Sequence, residues 1–218
     1  LINKIIVIIS LCFCSLAFGD WGTGNFISSN GYILTDAHVV TDDGHSYVQQ
    51  YVLYKTAVLG YLKVPATVVK LDPMDDLALL KIDTFNHPCL QLAKYDAQFG
   101  LTYTVIQLNH YQSIKPYKFI LTNANVTEAL IISKASNSVW MGEHLMNYFY
   151  TKTIRPGNSG SGIVDYYGRI VGLVETGIVQ ADLMGGISNI LINKFVPYAT
   201  CDNPSFKLTD TAVLVEHD

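Results

Sequence analysis

Apolar residues fall along this chain in short runs of about four to eight, the length of a strand rather than of a helix, with turn residues between them. Stretches 26–29 and 32–35 flank Asn30-Gly31, a two-residue hairpin signal because both central positions of a type I′ turn need positive φ. Further strands are predicted over 47–54, 66–71, 77–82, 103–108, 119–122, 126–133, 148–154, 162–165 and 169–174. One helix is predicted, over 189–196, with Ser188 as its N-cap and Pro197 as its stop. Closely spaced strands with turns between them predict an all-β sandwich or barrel. The most loop-like internal stretch, 84–100, carries Asn86, Pro88 and Gly100 and divides the strands into two similar groups. Two packed barrels joined there are expected.

Residues 1–19 follow a different pattern. Lys4 precedes an apolar stretch over 5–18, and Ala17-Phe18-Gly19 offers small residues where a signal peptidase reads. The stretch is shorter than the roughly 20 apolar residues of a transmembrane span. The expectation is a signal peptide and an exported protein, periplasmic or secreted, with membrane attachment only if the segment stays uncleaved. Cys12 and Cys14 would leave with it. Cys89 and Cys201 remain, and in an oxidising compartment they either pair or stay as two buried thiols; spacing alone does not choose. Residues 20–198 read as the folded domain, with barrel one over about 20–92 and barrel two over about 98–190, and 199–218 as a C-terminal tail.

Composition narrows the function classes. Half of the 218 residues are hydrophobic and 15% are charged, too apolar a balance for a disordered chain. A net charge of −4 and the lack of any Lys/Arg run exclude nucleic acid as the main partner, because phosphate binding needs clustered basic surface. With no Cys-x-x-Cys and no His pair at helical spacing, no metal site and no cofactor are expected. His45, His87 and His217 read as solvated residues, and His110 and His144 as surface loop residues of the second half.

Three segments carry chemistry. In 32–40, His38 follows an amphipathic strand, fixed by it yet free to lean into a cleft. In 75–81, Asp76 stands directly before an apolar strand, where a buried carboxylate can accept the second imidazole N–H and fix the tautomer. In 155–162, Ser159 sits in the run Arg-Pro-Gly-Asn-Ser-Gly-Ser-Gly. Glycines there permit a tight turn that exposes Oγ and points the N–H groups of Gly157 and Ser159 into one space, an oxyanion hole. Each segment also has a plainer reading: a surface histidine, a strand-edge acid, a glycine-rich turn.

Together they resemble the trypsin-like serine proteases, most of all the HtrA (Deg) branch. Gly22-Thr23-Gly24-Asn25-Phe26 is similar to that family's G-x-G strand, and Thr35-Asp36-Ala37-His38-Val39-Val40 to its T-x-x-H-V-V segment. Asp76-Leu77-Ala78-Leu79-Leu80-Lys81 resembles D-L-A-V-L-K, and 156–160 the P-G-N-S-G run. The order His, Asp, Ser is that of chymotrypsin-type barrels, whereas α/β-hydrolase esterases place the Ser first. The resemblance covers about 22–197 and implies two packed six-stranded antiparallel barrels with a short C-terminal helix. It implies a serine endopeptidase acting on polypeptides, with His38, Asp76 and Ser159 as triad and Gly157 and Ser159 as oxyanion donors. It also sets Ile154, Arg155, Asn158, Val174, Glu175, Thr176 and Ser188 around the substrate. Ser161-Gly162 in place of Gly-Pro is closer to bacterial glutamyl endopeptidases, and 111–148 matches poorly. No appended PDZ domain is expected in the about 20 residues after the helix, and the oligomeric state stays open. The rival reading is a dormant protease fold serving as a binding or chaperone-like module, whose mark would be a missing triad member.

Overall fold

The computed structural model describes residues 21–41, 49–56, 59–109, 118–134 and 143–217. The expected signal peptide, His45, His110 and the side chain of His144 lie outside the described residues. The strands are β1 (Trp21–Phe26), β2 (Tyr32–Asp36), β3 (Gln50–Thr56), β4 (Gly60–Asp72), β5 (Leu77–Lys81) and β6 (Thr102–Asn109). They continue as β7 (Lys118–Lys134), β8 (Glu143–Tyr150), β9 (Gly162–Val164), β10 (Ile170–Ile178), β11 (Leu183–Ser188) and β12 (Ala212–His217). They close into two six-stranded antiparallel barrels, in the orders β1-β12-β3-β4-β5-β2 and β10-β11-β8-β7-β6-β9. The helix α1 (Asn189–Phe195) follows β11, and the Ser188 side chain caps it by accepting the Ile190 N–H. Among the described residues no helix is long and apolar enough to cross a membrane.

Residues 199–218 are not a tail. β12 lies between β1 and β3, paired over Trp21–Glu216 to Asn25–Ala212 on one side and Leu214–Leu53 to His217–Gln50 on the other. Its apolar run Ala212-Val213-Leu214-Val215 is buried, and it supplies the strand without which barrel one would have two open edges. The first hairpin also differs from its expected form. Only Gly31 of the Asn30-Gly31 pair takes the left-handed conformation, φ +96°, so the turn is not type I′. Ser28 Oγ donates to Asn30 Oδ1 at 2.6 Å and accepts the Tyr32 N–H at 3.0 Å, and these bonds shape the loop instead. His87 is buried, not solvated: its ring stacks on Phe26 at 3.8 Å and meets Tyr54 edge-on. Burial lowers its pKa.

Each barrel has its own apolar filling. Phe26, Ile33, Val52, Leu80, Val213 and Val215 fill the first, and Val105, Phe149, Ile163, Val174 and Met184 the second. A third cluster mixes Leu34 and Leu77 of the first barrel with Ile106, Leu173 and Ile187 of the second, and α1 adds Ile192 and Phe195. At about 1.5–3 kcal/mol for each large aliphatic or aromatic side chain removed from water, this shared cluster holds the two barrels in one orientation. The site lies where their loops meet.

Candidate active site

His38 sits in a single 3-10 turn, Ala37–Val39, that continues β2. Asp76 closes the tight connection from β4 to β5, where Asp72 Oδ1 accepts the N–H groups of Met74 and Asp75 at 3.1 and 3.2 Å. Asp76 itself adopts φ +51°, a conformation that Asp tolerates better than most residues. The two segments are bonded throughout. The Ala37 N–H donates to the Asp76 carbonyl at 3.0 Å. The carboxylate accepts the His38 backbone N–H on Oδ1 at 2.9 Å and bonds His38 Nδ1 through Oδ2 at 2.6 Å. Asp76 is buried, while the His38 side chain keeps 19% of its exposure, so one face of the ring stays open. Desolvation alone would lower the imidazole pKa. The charge and hydrogen bond of Asp76, then the charges of Asp36 and Glu175, outweigh it and raise the pKa from 6.5 to about 9.

Ser159 lies on the loop before β9, and both barrels clamp that loop. From β1, the Thr23 N–H donates to the Ser159 carbonyl at 2.8 Å, Thr23 Oγ1 to the Gly157 carbonyl at 2.8 Å, and Asn25 Nδ2 to the Gly160 carbonyl at 2.7 Å. From β2, Asp36 Oδ2 accepts the Gly160 N–H at 2.7 Å. From β10, the Val174 carbonyl accepts the same N–H at 2.8 Å and the Val174 N–H donates to Ser161. Gly22 brings the serine loop to the histidine turn: a Cβ there would touch both the Val39 side chain and the Ser159 carbonyl. No backbone carbonyl among the described residues takes the N–H of Gly157 or of Ser159.

Glycine is required at Gly160. Its φ is +78°, and a Cβ would overlap the Thr23 carbonyl oxygen and Thr35 Oγ1. Gly160→Ala is expected to cost about 1–3 kcal/mol in backbone strain alone, with the overlap adding to it. Thermal unfolding of the variant reads this; an unchanged midpoint would mean that the loop shifts freely.

Among the residues expected around the substrate, Arg155 and Thr176 are exposed, whereas Ile154, Asn158, Val174, Glu175 and Ser188 are buried. The Ser188 hydroxyl donates to Asp96 Oδ2 while it caps α1. Val174 acts through its backbone, as described. Glu175 is 5% exposed, and its charge adds to the fields that raise the pKa values of His38 and Asp36. Ile154 packs in the core of barrel two and fills the space beside Gly177.

Two acids had no assigned role in the sequence. Asp96 accepts the Asn147 side chain at 2.8 Å and the Asn189 N–H at 3.2 Å besides Ser188, and so fixes the start of α1. Asp36 belongs to the site itself. Ligand-type atoms of Asp36, His38 and Asp76 lie within 4.8 Å of one another, but both Asp76 oxygens and Asp36 Oδ2 already accept N–H bonds. That donor set suits proton sharing better than a metal ion. Cys89 and Cys201 form a disulfide, with Cα atoms 5.7 Å apart, which resolves the pairing that spacing left open.

The sequence profile of the trypsin-like peptidase domain matches residues 22–173. A Chlamydia pneumoniae protein named probable periplasmic serine endoprotease DegP-like is 32% identical over 159 residues, 73% of this chain and 29% of that protein. Its namesake in Pseudomonas fluorescens is 34% identical over 154 residues, 70% of this chain and 28% of its own length. The chain thus spans under a third of these relatives. The active form of the M. tuberculosis protease Rv3671c has a TM-score of 0.64 at 22% identity, covering 87% of this chain and 78% of that one. The HtrA-type protease AlgW with a decapeptide gives 0.61 at 21%, over 82% and 52%; such identities speak to the fold alone. Profile and barrels agree: the chain belongs to the trypsin-like peptidase domain family, and over that domain it is similar to the DegP-like proteins named above.

Proposed function

We propose that this chain is a serine endopeptidase that cleaves polypeptides through an acyl-enzyme, with Ser159 as nucleophile, His38 as base and Asp76 as the group that orients it. The observation that carries the reading is the 2.6 Å bond between His38 Nδ1 and Asp76, beside a serine loop clamped to the same barrel. With Nδ1–H held by the carboxylate, Nε2 is the lone-pair nitrogen that takes the Ser159 proton as Oγ attacks the carbonyl. The imidazolium so formed lies against Asp76 and then gives its proton to the leaving amine. Water, activated by the same base, resolves the ester. The N–H groups of Gly157 and Ser159 hold the oxyanion, where each such donor contributes about 3 kcal/mol to the transition state. The chain's own groups fill every role.

Export to an oxidising compartment is part of this proposal. It is supported by the Cys89–Cys201 disulfide, since such bonds persist outside the cytosol, and by the periplasmic names of the relatives.

A fluorophosphonate probe tests the reading, because it forms a stable adduct only with an activated serine. Peptide mapping by mass spectrometry is expected to place one adduct on Ser159 and none in Ser159→Ala or His38→Ala. A folded protein that takes up no probe would overturn the proposal in favour of a dormant protease fold.

A further inference from the structure

Asp36 is a fully buried acid with no task in the proposed reaction. It ends β2 and stands at the N-cap of the His38 turn, yet its side chain makes no capping bond there. It crosses instead to the nucleophile loop, where Oδ2 accepts the Gly160 N–H at 2.7 Å. Oδ1 is buried and has no hydrogen-bond partner among the described residues. Among the described residues, the charged groups acting on Asp36 are Asp76 ahead of β5, His38 from the 3-10 turn and Glu175 from β10.

So many carboxyls around one imidazole cannot all be ionised in a buried space, and their protons bind to the cluster as a unit. Both Asp76 oxygens are committed to N–H groups of His38. The bare Oδ1 of Asp36 is therefore the oxygen best able to carry a proton without breaking a bond.

We propose that Asp36 is a positioning residue that shares a proton with His38 and ties that proton to the nucleophile loop through Gly160. With the proton on Asp36 Oδ1, His38 is neutral and free to take the hydroxyl proton of Ser159. With the proton on His38, Asp36 is a carboxylate that adds to the field of Asp76, and the base is blocked. One proton moves between the two sites and nothing else changes hands. Burial first, then the Asp76 charge, holds the Asp36 carboxyl well above the usual carboxylate range, and Asp36 adds to the field that raises His38. The proposal rests on the reading of His38 as the base for Ser159.

Two measurements test it. In wild-type protein labelled with 13C at Asp carboxyls and 15N at His rings, the signals of Asp36 and His38 are expected to titrate in a shared step on the alkaline side of neutrality. An Asp36 carboxyl that titrates alone near its ordinary value of about 4 overturns the proposal. This readout stands whether or not the protein takes up a serine probe, so failure of the nucleophile reading is seen separately. In Asp36→Asn, an acceptor for Gly160 remains but the proton site is gone. The acid limb of the probe-labelling rate against pH is expected to fall by about one unit. A folded Asn variant with an unmoved limb, or with no labelling at any pH while wild type labels, also overturns it. If the variant does not fold, the wild-type titration decides.

Discussion

Replacing Asp76 by Asn is expected to lower kcat by about ten-thousand-fold while leaving the fold intact. The loss follows from the two bonds its carboxylate accepts, one from the His38 backbone N–H and one from the ring. An amide offers one acceptor oxygen and one NH2 group. If the oxygen keeps the backbone N–H, the NH2 faces Nδ1 and demands a lone pair there. The remaining proton then sits on Nε2, and the ring can no longer accept the Ser159 proton. If the amide flips, its NH2 meets the backbone N–H and the turn is pushed away. Either arrangement removes the base, at about 5.5 kcal/mol for four decades of rate. Steady-state cleavage of an unfolded protein substrate reads the effect, and a loss under tenfold would show that Asp76 does not set the tautomer.

The same substitution has a stability signature. The folded-state pKa of His38 is raised from 6.5 to about 9, so the protonated ring is favoured in the native state. That contribution is whole below pH 6.5 and fades as the pH rises through about 9. Asp76→Asn should therefore cost more stability in mildly acidic buffer than in strongly alkaline buffer.

Removing the disulfide, as Cys89→Ala with Cys201→Ala, is expected to lower the unfolding free energy by about 4 kcal/mol. Its partners are 112 residues apart in sequence, so the reduced unfolded chain regains a large loop entropy. The bond joins the connection between the barrels to the segment after α1. There the Cys89 N–H donates to Asn203 and the Cys89 carbonyl accepts from Ser205, so native geometry should survive without it. Urea unfolding of the oxidised wild type beside the double variant gives the difference. A loss below about 1 kcal/mol, outside the usual range, would mean that the link adds little to those hydrogen bonds.

Local chemistry was legible in the sequence and long-range chemistry was not. His38 and Asp76 each stand at the end of an apolar strand, and Ser159 in a glycine run, so their own neighbours announce them. The helix announced itself through Ser188 and Pro197. β12 did not, because four apolar residues after a polar stretch look like any chain end until two partner strands are known. His87 has polar neighbours in sequence, and its partners Phe26 and Tyr54 are remote. Asp36 reads as an ordinary acid beside a turn; its role arises from a contact with Gly160 across 124 positions. The burial of Glu175 and Ser188 likewise depends on groups that no local pattern names.

The position of β12 also sets an order of arrival during synthesis. β1 carries Thr23 and Asn25, which grip the serine loop, and on one side β1 pairs with residues 212–216. A growing chain that has just released Ser159 from the ribosome has all the proposed chemical groups but an unclosed first barrel. At about 5–20 residues per second the closing strand follows roughly three to ten seconds later. A peptidase built this way closes the barrel that grips its serine loop only after that loop has been made.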